Sequence, residues 1–336
     1  MLSRLHLQND PLKDSLPVKP VPSKSKTAWA VVLAGGDGTR LQRLTFQISG
    51  DARPKQFCKL MGKHSLLMQT SRRIAPLFTS DRQVYVVTRA HDVFYRDELS
   101  ISKTSLILEQ PCNRGTAIAI GVAALRILEN DIDPLVAFFP SDHHYSNESA
   151  FVGAVDSALE YSRHYPNELV LLSAEATYPE VEYGWIEPGS AVSDIPRGRL
   201  SHVTRFWEKP SPAQARTLLR RRCLWNTFVT IGRATTYLEL LRKRIPDVIA
   251  SIEGAMTTGG FDVAYRDLPS VDISREVFSP QPNRLLAFRD TESGWADLGT
   301  PQRVFDVLAR NEIAPDWLGQ FATPNDNFKR GGTCLA

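Results

Sequence analysis

The chain has 336 residues, 42% of them hydrophobic and 23% charged, the ordinary range for a globular protein with a sizeable core. Forty Lys and Arg against thirty-seven Asp and Glu leave a formal charge of +3, which excludes a strong field drawing the whole molecule to nucleic acid or an anionic membrane. No stretch is long and apolar enough to span a membrane, and Cys58, Cys112, Cys223 and Cys334 contain no CxxC pair, which argues against structural zinc or a disulfide framework and fits a reducing cytoplasm.

Residues 1–26, rich in Pro, Lys, Ser and Asp, read as a flexible leader. Short apolar runs then recur at 28–33, 84–88, 106–108, 135–139 and 169–173, each bounded by polar or turn residues, and read as buried strands. Between them, helical spacing occupies 65–77, 116–128 and 151–161. This alternation predicts a Rossmann-like α/β fold, a mixed and mostly parallel sheet flanked by helices. Beyond residue 175 the order loosens, with strands at 203–207 and 226–231 and helices around 237–244 and 301–310, as expected of a second, smaller lobe. The domain is placed at 27–312 and a C-terminal tail at 313–336. Ligands of open α/β sheets sit beyond the carboxyl ends of the strands, so the loops there are where chemistry is sought.

The first such loop is Leu33-Ala34-Gly35-Gly36-Asp37-Gly38-Thr39-Arg40-Leu41, followed by Arg53-Pro54-Lys55-Gln56-Phe57. Glycines let backbone N–H groups approach a triphosphate, and Arg40 and Lys55 supply cations for charge developing on departing pyrophosphate. A bare GGxG is as a rule only a strand–helix turn. Strand, glycine loop and cations in this order, and in these strings, resemble the sugar-1-phosphate nucleotidyltransferase superfamily, with PKQF closest to the mannose-1-phosphate guanylyltransferases. The resemblance runs from about Trp29 to Leu308 and implies the nucleotide-diphospho-sugar transferase fold. It places the nucleotide on Leu33, Ala34, Gly35, Gly36, Gly38 and Thr39, Arg40 on the β/γ-phosphates and Lys55 on the α-phosphate. The segment 42–53 departs from the family, being longer than usual and carrying Gln42-Arg43 where Trp-Pro is common.

Glu109-Gln110-Pro111-Cys112-Asn113-Arg114-Gly115-Thr116-Ala117 follows a short strand and opens a helix. On the residues alone it could be a simple cap. It resembles the family's E-x-P-x-x-R-x-T-A segment, which implies that Pro111, Gly115 and Thr116 border the base; guanine is implied by the family alone. Ser141-Asp142-His143 ends a strand and matches the family's SDH string, and Trp295-Ala296-Asp297-Leu298-Gly299-Thr300 resembles W-x-D-[LV]-G-[ST]. Asp142 and Asp297 are therefore the candidate ligands of one Mg2+, which prefers oxygen donors and retains water and substrate phosphate in its shell. Zinc is disfavoured, since no third ligand stands at zinc spacing.

Tyr183-Gly184-Trp185-Ile186, Phe206-Trp207-Glu208-Lys209-Pro210 and Trp225-Asn226 combine a glycine, a carboxylate, a cation and an amide, the groups a sugar phosphate needs. They resemble the family's G-Y-I, F-x-E-K-P and W-N motifs, which implies that Gly184, Glu208, Lys209 and Asn226 bind the sugar phosphate. Ser270-Val271-Asp272 resembles the S-I-D element. Trp225-Asn226-Thr227-Phe228 stands where W-N-S-G is usual, and the bulk of Phe228 is expected to narrow the pocket.

The resemblance implies transfer of a nucleotidyl group from GTP to mannose 1-phosphate, giving GDP-mannose and pyrophosphate, and leaves a homodimer open. The same chemistry with another nucleoside triphosphate or hexose 1-phosphate is one alternative. A non-catalytic nucleotide-sugar-sensing subunit is another, against which the presence of Arg40, Lys55, Asp142 and Asp297 argues. The short distance from Asp297 to the last residue leads to the expectation of a single activity, without a β-helix or isomerase domain.

Overall fold

In the computed structural model, which describes residues 28–100, 104–192 and 199–321, the first strand is buried on both faces. Trp29 and Val31 enter one core with helices 116–128, 234–244 and 246–258, while Ala28, Ala30 and Val32 enter another with helices 66–74, 92–100 and 148–164. A strand sandwiched between helix layers has no polar face to offer, which is why this run is continuous rather than alternating. The leader expected at 1–26 lies outside the described residues, as does Cys334.

The strands are β1 Ala28–Leu33, β2 Gln83–Thr88, β3 Leu106–Gln110, β4 Leu135–Pro140, β5 His143–Tyr145, β6 Leu169–Glu175, β7 Gly184–Ala191, β8 Leu200–Glu208, β9 Leu224–Arg233, β10 Leu285–Asp290 and β11 Trp295–Asp297. Among the described residues nine of them join one sheet in the order β3-β2-β1-β4-β9-β6-β10-β8-β7, and β11 pairs with β5 in a small antiparallel ribbon. Pairing is parallel from β3 through β4 and again between β6 and β10. It is antiparallel wherever β9 takes part and between β8 and its neighbours β7 and β10. The sheet is thus mixed as expected, its parallel part concentrated in the half that carries the glycine loop.

Local chemistry sets the helix starts. The Ser65 hydroxyl accepts from the Met68 N–H, Asn147 caps from Ala150, and Ser211 forms a reciprocal capping box with Gln214 ahead of Pro212. Residues 42–53, the segment longer than is usual in the family, contain a helix, Gln42–Ser49, closed by Gly50 in the left-handed region. No helix among the described residues is long and apolar enough to cross a membrane.

Within the segment expected as a C-terminal tail, Ile313, Trp317, Leu318 and Phe321 pack on the domain. A short helix at Asp316–Phe321 buries Trp317 against a third core that holds Leu41, Leu44, Leu60, Val304 and Leu308, and the indole N–H donates to the carbonyls of Lys59 and Leu60. This cluster braces the segment between the glycine loop and Lys55 against the end of the domain. Trp317→Ala therefore lowers stability by about 3–5 kcal/mol, the range for deleting a large buried aromatic, measured as a shift in the denaturation midpoint.

Candidate active site

A cleft of about 370 Å³ opens at the carboxyl ends of the parallel strands. Leu33 of β1, Gln110 of β3 and Pro140 of β4 line one side, and Gly184, Glu208 and Asn226 of the second lobe line the other. The glycine loop enters between them and is fixed by side chains rather than by regular structure. The Gln56 amide donates to the carbonyls of Ala34 and Gly36 at 3.0 and 2.7 Å, and the Thr88 hydroxyl donates to the Gly35 carbonyl at 2.9 Å. Gly38 has φ +62°, and a Cβ there would lie 2.9 Å from the Lys55 backbone nitrogen, so only glycine lets the loop turn against the Lys55 segment.

At the floor of the cleft the Lys55 ammonium lies 3.1 Å from Asp142 Oδ2 and 3.4 Å from Asp297 Oδ1, and it donates to the Leu298 carbonyl at 3.3 Å. Burial alone would lower the lysine pKa; the two carboxylates outweigh it and raise it, so the ammonium stays charged. Burial likewise pushes Asp297 up, but Lys55, His143, Arg303 and Arg40 overcome that and hold it below the usual carboxylate range. The second oxygen of Asp297 accepts from Arg303 at 3.0 Å. Arg303 in turn pairs with Glu180 and lies 4.7 Å over the Tyr183 ring, tying the carboxylate to the second lobe.

His143 completes the floor. The Trp295 indole N–H donates to its Nδ1 at 3.0 Å, so Nδ1 is bare and Nε2 carries the proton. Nε2 stands 3.8 Å from Asp142 Oδ1 and 3.7 Å from Asp297 Oδ1. Burial lowers the imidazole pKa in spite of both carboxylates, so the ring is neutral. Arg40 stands at the mouth, half-exposed, 3.1 Å from Glu182.

The opposite wall begins at Gly115, with φ +82° and a Cβ position only 2.4 Å from the Val271 carbonyl, again open only to glycine. The Thr116 hydroxyl accepts from the Ile273 N–H at 3.0 Å, which anchors the Ser270-Val271-Asp272 segment beside the start of helix Thr116–Leu128. Gln110 accepts from the Tyr265 hydroxyl at 2.5 Å through Oε1 and turns its amide nitrogen toward Gly35. Among the described residues no cluster of three or more His, Cys, Asp or Glu side chains could by itself hold a metal ion.

A nucleotidyl transferase family model matches residues 29–312. The chain belongs to the nucleotidyl transferase family. It is 33% identical over 288 residues to the xanthan biosynthesis protein XanB of Xanthomonas campestris pv. campestris strain B100, covering 82% of this chain and 58% of that protein. It is 29% identical over 314 residues to mannose-1-phosphate guanylyltransferase 2 of Escherichia coli O157:H7, covering 88% of this chain and 62% of that one. The chain therefore spans about three-fifths of the length of these curated relatives. A crystal structure described as mannose-1-phosphate geranyltransferase from Thermus thermophilus superposes with TM-score 0.73 at 28% identity, covering 83% of this chain and 79% of that one.

The cleft gathers Leu33, Gly35, Gly36, Arg40, Lys55, Gly115, Thr116, Asp142, Gly184, Glu208, Asn226 and Asp297. Gly38 and Thr39 line an adjoining hollow with Gly36, Arg40, Lys55 and Asp142, while Ala34 is buried and contributes its carbonyl to Gln56. Two expected contacts are not brought to the cleft. Pro111 lies outside its lining, and Lys209 is exposed because its backbone turns at φ +47° with its N–H donating to the Tyr183 carbonyl. The residues that sequence reasoning passed over are Gln56, Gln110, His143, Glu182 and Arg303. Gln56, Gln110 and His143 lie inside the strings that carry the resemblance, whereas Glu182 and Arg303 had no signal short of the fold.

In the second lobe, Glu208 is a carboxyl group shifted toward neutral pH. Burial pushes its pKa up to about 7 from 4.5, Asp272 adds to the shift, and Lys209 and Arg275 oppose it. Between those two values the native state keeps a proton that the unfolded chain has lost, so this group withdraws stability as pH rises through the window. Glu208→Gln accordingly flattens the melting temperature between pH 5 and 8, matching the wild type near pH 5 and exceeding it near pH 8 in thermal denaturation.

Proposed function

We propose that this chain transfers a nucleotidyl group from GTP to mannose 1-phosphate, releasing pyrophosphate and forming GDP-mannose. The observation that carries the reading is the buried ammonium of Lys55 between Asp142 and Asp297, directly below a glycine loop and opposite a polar set suited to a sugar. The relatives named as mannose-1-phosphate guanylyltransferases support the choice of nucleotide and sugar.

An oxygen of the sugar phosphate attacks the α-phosphorus in line, a new P–O bond forms, and the bond to the bridging β-oxygen breaks as pyrophosphate leaves. The nucleophile is already anionic, so no general base is required. Lys55 stabilises the charge that spreads over the α-phosphoryl oxygens, and Arg40 exchanges Glu182 for the β/γ-phosphates. The glycine loop and the start of helix Thr116–Leu128 hold the nucleotide, and Asn226 and Glu208 orient the sugar hydroxyls. Catalysis by this arrangement is positioning and electrostatics, without a covalent enzyme intermediate.

The donor chemistry fits Mg2+. Asp142 and Asp297 are two oxygen donors close enough to share one ammonium, and a hard cation that keeps phosphate and water ligands needs no third protein ligand. When bound, the ion supplies positive charge to the phosphate oxygens.

Pyrophosphate release, with product identified by mass, tests the reading across the four nucleoside triphosphates paired with mannose 1-phosphate or glucose 1-phosphate. Lys55→Met, Asp142→Asn and Asp297→Asn are each expected to lose about 100- to 1000-fold in turnover while retaining the fold by circular dichroism. Turnover confined to another pair overturns the named substrates. Absence of turnover with every pair, alongside nucleotide-sugar binding, points instead to a sensing subunit.

A further inference from the structure

Phe228 lines the cleft beside Asn226 and Glu208, yet its backbone lies at φ +64°, in the left-handed region that bulky side chains disfavour. It sits on an irregularity of β9. Where β6 advances two residues from Leu171 to Ser173, their β9 partners run four residues from Thr230 back to Asn226. The two extra residues make a bulge, a device that bends a strand and re-aims a side chain.

The bulge is held in place by its own polar groups. The Phe228 N–H donates to Asn226 Oδ1 at 3.1 Å, the Thr227 hydroxyl donates to the Leu172 carbonyl at 2.8 Å, and the Val229 N–H donates to the same hydroxyl at 3.4 Å. Glycine would take this conformation freely, so the aromatic ring is kept against backbone strain. Such strain persists only where the surroundings over-determine it, and it collects where ligands are handled.

We propose that Phe228 sets the width of the hexose subsite and restricts the acceptor to hexose 1-phosphates without a bulky ring substituent such as an acetamido group. This inference rests on the reading of the cleft as a hexose 1-phosphate site. Phe228 is partly buried against the core that includes helix 116–128, and with Asn226 it lines the cleft. The same bulge orients Asn226: its amide oxygen is taken by the Phe228 N–H, which leaves the amide NH2 to donate to a sugar hydroxyl. Bulk and hydrogen-bond polarity at this wall are therefore set together by three consecutive residues.

The test compares wild type, Phe228→Gly and Phe228→Ala by calorimetric binding of mannose 1-phosphate, glucose 1-phosphate and N-acetylglucosamine 1-phosphate, with melting temperatures of the unliganded proteins. The wild type is expected to bind the two plain hexose phosphates in preference to the acetamido sugar, and Phe228→Gly to narrow that preference by at least about tenfold. The glycine variant is expected to melt at or above the alanine variant, the reverse of the usual order within a strand, because only glycine relieves the left-handed backbone. A preference unchanged in both variants overturns the proposal, as does an alanine variant that melts well above the glycine one. A wild type that binds none of the three overturns it together with the hexose reading. Binding without turnover overturns nucleotidyl transfer alone and leaves Phe228 to be judged by the measured preference.

Discussion

A buried ammonium between two carboxylates is the constraint on which the rest of this molecule is arranged. Removing charge from water is costly, and Lys55, Asp142 and Asp297 can be largely withdrawn from it together only because the ammonium lies within 3.4 Å of both carboxylates and Arg303 holds the second oxygen of Asp297. The three come from positions far apart in the chain: the segment after the glycine loop, the end of β4, and β11 near the end of the domain. Bringing them together requires the sheet order, the β5–β11 ribbon and the third core under the loop to form at once. Specificity of folding and chemistry of the site are one requirement.

The two halves of the sheet divide the labour. Parallel strands of the first half end at the glycine loop, the Gln110 segment and Asp142, so their loops converge on one edge. The second half is knitted by β9, whose carboxyl-terminal part pairs with β4, whose start pairs with β7, and which pairs with β6 on both sides of its bulge. That one strand spans both lobes, and its bulge places Asn226 and Phe228 at the junction.

The first half of the fold was legible because buried parallel strands declare themselves as unbroken apolar runs between turn residues. β1 was read to its full extent, and β2, β4 and β6 to within two residues at either end. The short strands β5 and β11 were invisible for an opposite reason: His143–Tyr145 and Trp295–Asp297 are too short for periodicity, and only the pairing defines them. β10 carries an apolar Leu285–Phe288 core that escaped notice because the second lobe shows no regular alternation around it. In the site, residues inside compact strings were recoverable. Pro111 and Lys209 were placed by string alone, and neither lines the cleft. Arg303 acts through Asp297 and Glu180, a relation across more than a hundred residues that no local pattern records.

That relation limits how such a protein can change. The loop between β6 and β7 supplies both Glu180, which grips Arg303, and Tyr183, over which the guanidinium lies, so the second lobe takes part in orienting a carboxylate beside the glycine loop. The lobes are consequently poor candidates for recombination as interchangeable modules. A β6–β7 loop transplanted from a relative without a matching acid would strand a cation beside Asp297, and the cleft is more readily reshaped by single replacements within its wall than by exchange of the lobe.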